Sequence, residues 1–319
     1  MQADSVGQMN VGRTPVWKRH PEAGVAVLLF VLALVPRLLD LSVFLTTDEP
    51  VWIMRSARFV QALYDGRFEE TFQTNHPGVT TMWTGSLGLS VYYHLLYPGR
   101  SDEPFGDFLS RAGDPYLTAD MLPAVRFPTA VLAAACTAFA YLLARRTFSP
   151  VAALLGTMFI ALDPFFIAHS RVLHHDALAT MFVMVAVLSL VSYWFSEEHV
   201  LYAVAAGVAT GLAWLSKAST LFLGPWVAFL FVVICLVRSV RSRRPCIGST
   251  TVGLAAWGVA TTVTFVALWP AMWIGARQVV ELLFTASTEL AESGHLQFFR
   301  GQVTTDAGPL FYPVVFLFR

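Results

Sequence analysis

Three cysteines in 319 residues, none of them in a CxxC pair, give this chain no disulfide framework. Cys136 and Cys235 fall in apolar runs, and Cys246 falls beside a basic cluster. Charge is equally scarce: Asp, Glu, Lys and Arg make up 13% of the residues, against about 25% in an ordinary soluble domain. The formal net charge is zero. Neither a Gly-rich phosphate loop nor a heptad array is found, so a nucleotide-binding domain and a coiled coil are both left out. No nucleic-acid partner is expected.

What the chain does have is apolar length. Hydrophobic residues reach 56% and the mean hydropathy is +0.60, which marks an integral membrane protein. Runs near 20 residues cross a hydrocarbon core of about 30 Å, and only helices satisfy their own backbone within one segment. Spans are predicted at 23–41, 123–143, 150–168, 176–195, 200–216, 219–237 and 249–269. The expected fold is therefore all-α, a polytopic transmembrane helix bundle forming one domain over 1–319.

Arg and Lys flanking spans tend to stay cytoplasmic. Lys18 and Arg19 then put the N-terminus inside, together with Arg145, Arg146 and the cluster Arg238, Arg241, Arg243 and Arg244. Alternating spans satisfy all three groups only if Thr80 to Tyr97 does not cross. Its Gly and Ser residues, His94 and several aromatics fit an interfacial, in-plane helix. The first outer loop then covers 42–122 and a second covers 270–308. Arg37, near the end of the first span, is expected to snorkel to the headgroups. That span reads as a retained signal anchor. The apolar run from Pro309 to Phe318 is half the length of a span, so further spans are expected beyond Arg319.

This orientation gathers the unusual ionisable groups on the outer face. Asp48 and Glu49 follow the first span directly, and Arg126 lies a few residues into the second, where its fork of donors fits a phosphate. His169-Ser-Arg-Val-Leu-His-His-Asp176 packs three His, Arg171 and Asp176 into eight residues, and Asp163 precedes it. A divalent metal is compatible with that stretch. Against it, His174 and His175 are neighbours that point apart on a helix, and no metal ligand or cofactor is assigned. Lys217, in an outer turn, is a compact charge suited to phosphate. His76 sits in the turn before the in-plane helix.

Taken in order, these landmarks resemble the membrane glycosyltransferases of the GT-C class, specifically the protein O-mannosyltransferase and lipid A aminoarabinose transferase group. The landmarks are Asp48-Glu49, His76-Pro77, Arg126-Phe127, Asp163, Ser170-Arg171-Val-Leu-His-His-Asp176 and Gly211-Leu-Ala-Trp-Leu-Ser-Lys217. The family's His-Pro-Pro-Leu-Gly-Lys is here His76-Pro-Gly-Val-Thr-Thr81, without the second Pro and the Lys. No soluble carbohydrate-binding insertion is visible, which points to a prokaryotic-type member in the plasma membrane.

The resemblance implies transfer of one sugar, hexosyl or pentosyl, from a polyprenyl phosphate to an acceptor hydroxyl of a protein, lipid or glycan outside the cytoplasm. Asp48 is then the general base of an inverting reaction, and Glu49 orients the acceptor or tunes the base. Arg126, Arg171 and Lys217 bind the donor phosphate. His76, Asp163, His174 and Asp176 are candidates for substrate binding. A rival reading is a transporter or flippase of lipid-linked or anionic solutes. Such proteins place ionisable groups near the bilayer midplane and use paired repeats, and no convincing repeat is present.

Overall fold

Proline sets where many of the helices begin. Its fixed φ and missing N–H suit the first helical turn, where donors have no intrahelical partner. In the computed structural model, which describes residues 21–74, 77–197, 199–242, 247–293 and 297–318, α1 starts at Pro21 and runs Pro21–Leu38. Next comes α2, Glu49–Tyr64, with Pro50 in its first turn. A 3-10 turn at Phe68–Thr71 leads to α3, Val79–Val91, and to α4, Phe105–Ser110. The long α5 is Pro115–Thr147. Ser149 caps α6, Pro150–Leu162, and Asp163 caps α7, Pro164–Ser170. Then follow α8 His175–Ser192, α9 Val200–Ser216, α10 Leu223–Ser242, α11 Ile247–Ala267 and α12 Ala271–Ser293. A short hairpin pairs β1 Gln297–Phe299 with β2 Gln302–Thr304, and α13 is Phe311–Phe318.

The protein is thus all-α in architecture and polytopic. Five helical segments among the described residues are long and apolar enough to cross a membrane: Pro21–Leu38, Ala119–Thr147, His175–Ser196, Ala218–Arg241 and Thr250–Ala267. The run predicted as a span at 150–168 is the pair α6 and α7, bent by 60°. The cause is local, because Asp163 Oδ1 accepts from Phe166 N at 2.6 Å and Pro164 cannot continue the preceding helix. Helix α9 is apolar but shorter than the others.

The segment read as an in-plane helix forms α3, whose 13 residues pass directly into a π-helical turn at Tyr92–Leu96. It is wrapped by protein on most sides, and leaves exposed an apolar stripe of Trp83, Leu87 and Val91. Its small residues serve close packing. A Cβ on Gly88 would stand 2.4 Å from the Val125 Cα in α5, so the two backbones could not stay this close. Gly88→Ala is expected to lower the thermal midpoint in detergent by an amount equivalent to about 1–3 kcal/mol. Gly156→Ala on α6, where nothing lies within 4 Å of the added carbon, is the control expected to show no loss.

Arg37 does not snorkel. It is fully buried, donating from Nε to Ser170 Oγ at 2.7 Å and from Nη1 to the carbonyls of Ala33 and Ala161 at 2.6 and 3.1 Å. The α6–α7 bend brings Ser170 and Ala161 to it, so it fastens α1 to the bend. At the other end of α1, Glu22 meets Arg145 at 3.0 Å, which sets the C-terminal end of α5 beside the start of α1. Arg238, late in α10, donates to the Trp194 carbonyl just beyond α8. Glu49, Arg126 and Asp176 sit toward the opposite ends of α1, α5 and α8.

Candidate functional site

The loop joining α1 to α2 is held in a shape it would not adopt alone, with Asp40 and Phe44 at φ of 51° and 60°. Arg126 fixes it. Its Nη1 donates to the carbonyls of Leu41 and Val43 at 2.6 and 3.0 Å, and its Nη2 donates to that of Phe44 at 2.5 Å. The remaining fork grips Glu49, with Nε to Oε1 at 2.7 Å and Nη2 to Oε2 at 2.5 Å. All five N–H donors of the guanidinium are engaged, and both side chains are buried. Arg126 therefore has no donor left for a phosphate, contrary to the expectation from its position.

Glu49 is likewise closed to substrate. Besides Arg126, its Oε2 accepts from Thr46 N at 2.9 Å and its Oε1 from Leu173 N at 3.1 Å. Burial pushes its carboxyl up, but the hydrogen bonds from Arg126, Thr46 and Leu173 together outweigh that and hold it below the usual carboxylate range. Glu49 ties the first loop, α5 and the turn after α7 into one corner.

Asp48, one residue earlier, faces outward with its side chain 67% exposed. It occupies the N-cap position of α2, yet its carboxylate makes no cap hydrogen bond. Oδ2 lies 3.3 Å from His174 Nε2. Trp52, one turn along α2, is buried beneath the two histidines, its ring 6.3 Å from His174 and 5.0 Å from His175. Gly78 lies against the same indole at φ +54°, where a Cβ would be 2.2 Å from Trp52 Cη2, and its N–H donates to the Ser216 carbonyl at 3.1 Å. That contact brings the turn before α3 against the end of α9, next to Lys217. His76 lies outside the described residues.

The other half of the site is an ion pair. Lys217 Nζ donates to Asp176 Oδ1 at 2.6 Å, and His175 Nε2 lies 3.2 Å from the same oxygen. Arg171 donates to the Leu39 carbonyl at the end of α1. Asp163 is drawn off as the cap of α7 and is not joined to this cluster by any hydrogen bond or ion pair among the described residues.

His174 and His175 do not point apart. His174 precedes the helix in extended conformation, φ −146° and ψ 154°, so helical geometry does not separate the pair, and their rings stack at 4.2 Å. Ligand atoms of His174, His175 and Asp176 lie within 4.8 Å of one another, close enough to share a cation. The Lys217 ammonium already occupies an Asp176 oxygen, and Asp176 N–H donates to His174 Nδ1 at 3.3 Å. The donor set is thereby better matched to an ion-paired cluster than to a divalent metal.

Sequence reasoning missed Arg55. Its guanidinium lies 4.8 Å over the Trp52 ring, and it makes no hydrogen bond among the described residues. Burial holds it below its ordinary value, an effect the nearby Asp48 charge only partly offsets. Asp48, Trp52 and Arg55 are spaced i, i+4, i+7, which puts them on one helical face. That spacing was the available signal.

The family model described as dolichyl-phosphate-mannose-protein mannosyltransferase matches residues 105–272, just over half of the chain. The matched stretch contains Arg126, Arg171, His174, Asp176 and Lys217, and begins after Asp48, Glu49 and Arg55. No curated protein and no solved structure matches the chain.

Proposed function

Because the chain belongs to the dolichyl-phosphate-mannose-protein mannosyltransferase family and is a membrane glycosyltransferase, we propose that it moves one sugar from a polyprenyl phosphate to an acceptor hydroxyl, with inversion, on the extracytoplasmic side. The observation that carries this reading is the Asp48 carboxylate: exposed, making no cap hydrogen bond, beside His174, and on one helical face with Arg55, whose guanidinium lies over the Trp52 ring. In the reaction Asp48 takes the proton of the acceptor hydroxyl as that oxygen attacks the anomeric carbon. A new carbon–oxygen bond forms, and the bond from that carbon to the phosphate oxygen breaks with its electron pair staying on the phosphate. The lipid phosphate gains one negative charge, which fixed cations stabilise best where water is excluded. Arg55, Lys217 and Arg171 are the cations for this task, replacing Arg126. The activated sugar–phosphate bond supplies the driving force, so no nucleotide is required.

Purified protein given a labelled sugar on polyprenyl phosphate should form a covalent product with a hydroxyl-bearing acceptor. Movement of the lipid-linked sugar across a vesicle membrane without such a product would refute the reading. Within it, Arg55→Ala should raise the donor KM by about 10- to 100-fold, the equivalent of the ~1.5–3 kcal/mol of a hydrogen bond to a charged group. An unchanged donor KM would remove Arg55 from the phosphate site.

A further inference from the structure

His174 does two things at once, and the first determines the second. Placed just before α8, it caps that helix with its ring, the Asp176 N–H donating to Nδ1 at 3.3 Å. The Asp176 carboxylate is 3.8 Å from the same nitrogen, beyond hydrogen-bonding reach, so the backbone N–H is the partner. A ring nitrogen that accepts carries no hydrogen, so the neutral imidazole holds its proton on Nε2. Nε2 is the atom that faces Asp48 Oδ2 at 3.3 Å. The ring has little freedom to turn away, being 18% exposed, stacked on His175 and edge-on to Trp52.

We propose that His174 is a positioning residue for the Asp48 base. The helix cap fixes its tautomer, the Nε2–H is turned toward Asp48 Oδ2 at ion-pair distance, and Oδ1 is left for the acceptor hydroxyl. This rests on Asp48 being the base, and it gives His174 a role distinct from contact with substrate. The Glu49 contact to Leu173 N sets the register, because it anchors the residue before His174 to the residue after Asp48. Aligning a reacting group in this way governs rate, since misplacement by about 1 Å can cost on the order of 10²-fold.

Two properties of His174 can be separated by substitution. Asn is among the best N-cap residues, so His174→Asn keeps a cap on α8, but its shorter side chain does not extend to Asp48. We expect kcat to fall about 10- to 100-fold, with donor KM within about twofold and the thermal midpoint unchanged. His174→Gln, whose longer amide can donate to Asp48, should recover part of the loss, and His174→Ser offers a second capping variant if Asn does not fold. In an Asp48→Asn background, adding His174→Asn should leave the residual rate unchanged, because no base remains to be positioned. A wild-type kcat in His174→Asn, or an equal further loss in the double variant, overturns the positioning role alone. Near-normal turnover in Asp48→Asn by itself overturns the base and this inference together.

Discussion

Replacing Asp48 with Asn should cut sugar transfer by about 10²- to 10⁴-fold, the usual contribution of a general base, while donor lipid binding stays at its wild-type strength. The amide is nearly isosteric, so the shape of the site is retained. It can still accept from His174 Nε2, which lies 3.3 Å from Oδ2 in the parent, but it has negligible basicity toward the acceptor proton. Initial rates with labelled donor, read beside equilibrium binding of the same lipid, separate the two effects. A variant that turns over near the wild-type rate would eliminate Asp48 as the base, and equal losses of binding and rate would assign it to substrate binding.

The second large effect is on folding. Arg126→Leu removes one partner of a buried pair, leaving the Glu49 charge without its counter-ion and the carbonyls of Leu41, Val43 and Phe44 without the guanidinium that serves them. Breaking such a pair costs about 3–5 kcal/mol, a large share of the stability of a typical domain. The thermal midpoint in detergent should drop steeply, and little folded protein should be recovered. Had Arg126 been a phosphate ligand instead, Arg126→Leu would keep its midpoint and lose only donor affinity. Acid acts on the same corner. Glu49 titrates below the ordinary carboxyl value of 4.5 when folded, so its contribution is present above that value and is lost as pH falls through the folded one. Stability should therefore decline on acidification below about pH 4.5, and a variant that has already lost Arg126 should show less of this decline.

Some of this architecture could be read directly from the chain. Apolar length is a local property, so the long spans were legible, and so was the clustering of ionisable residues near span ends. What single arginines do was not. Arg126 meets Glu49 across 77 positions and Arg37 meets Ser170 across 133, and nothing nearby in sequence announces either partner. Position alone made both look like headgroup-facing side chains, because snorkelling and burial share the same sequence signature. The bend at Asp163-Pro164 was legible in principle, as a cap residue followed by proline, but the apolar run around it dominated. Helix α2 was hidden inside a stretch read as outer loop, although Pro50 and the acid before it are start signals. Arg55 was lost with it. The stacking of His174 on His175 depends on an extended backbone at one residue, which no side-chain pattern reports.

The bare N-terminus of α2 has a consequence for how the protein tolerates change. Asp is among the strongest helix-capping residues, and a side-chain cap is worth about 0.5–2 kcal/mol, yet Asp48 stands at that position without capping. Its lone pairs stay available because the helix beginning there forgoes them. A change that turned the Asp48 carboxylate onto the first N–H groups of α2 should add about 0.5–2 kcal/mol of stability and, under the proposed base role, slow turnover, so robustness and rate are expected to oppose each other through this single side chain.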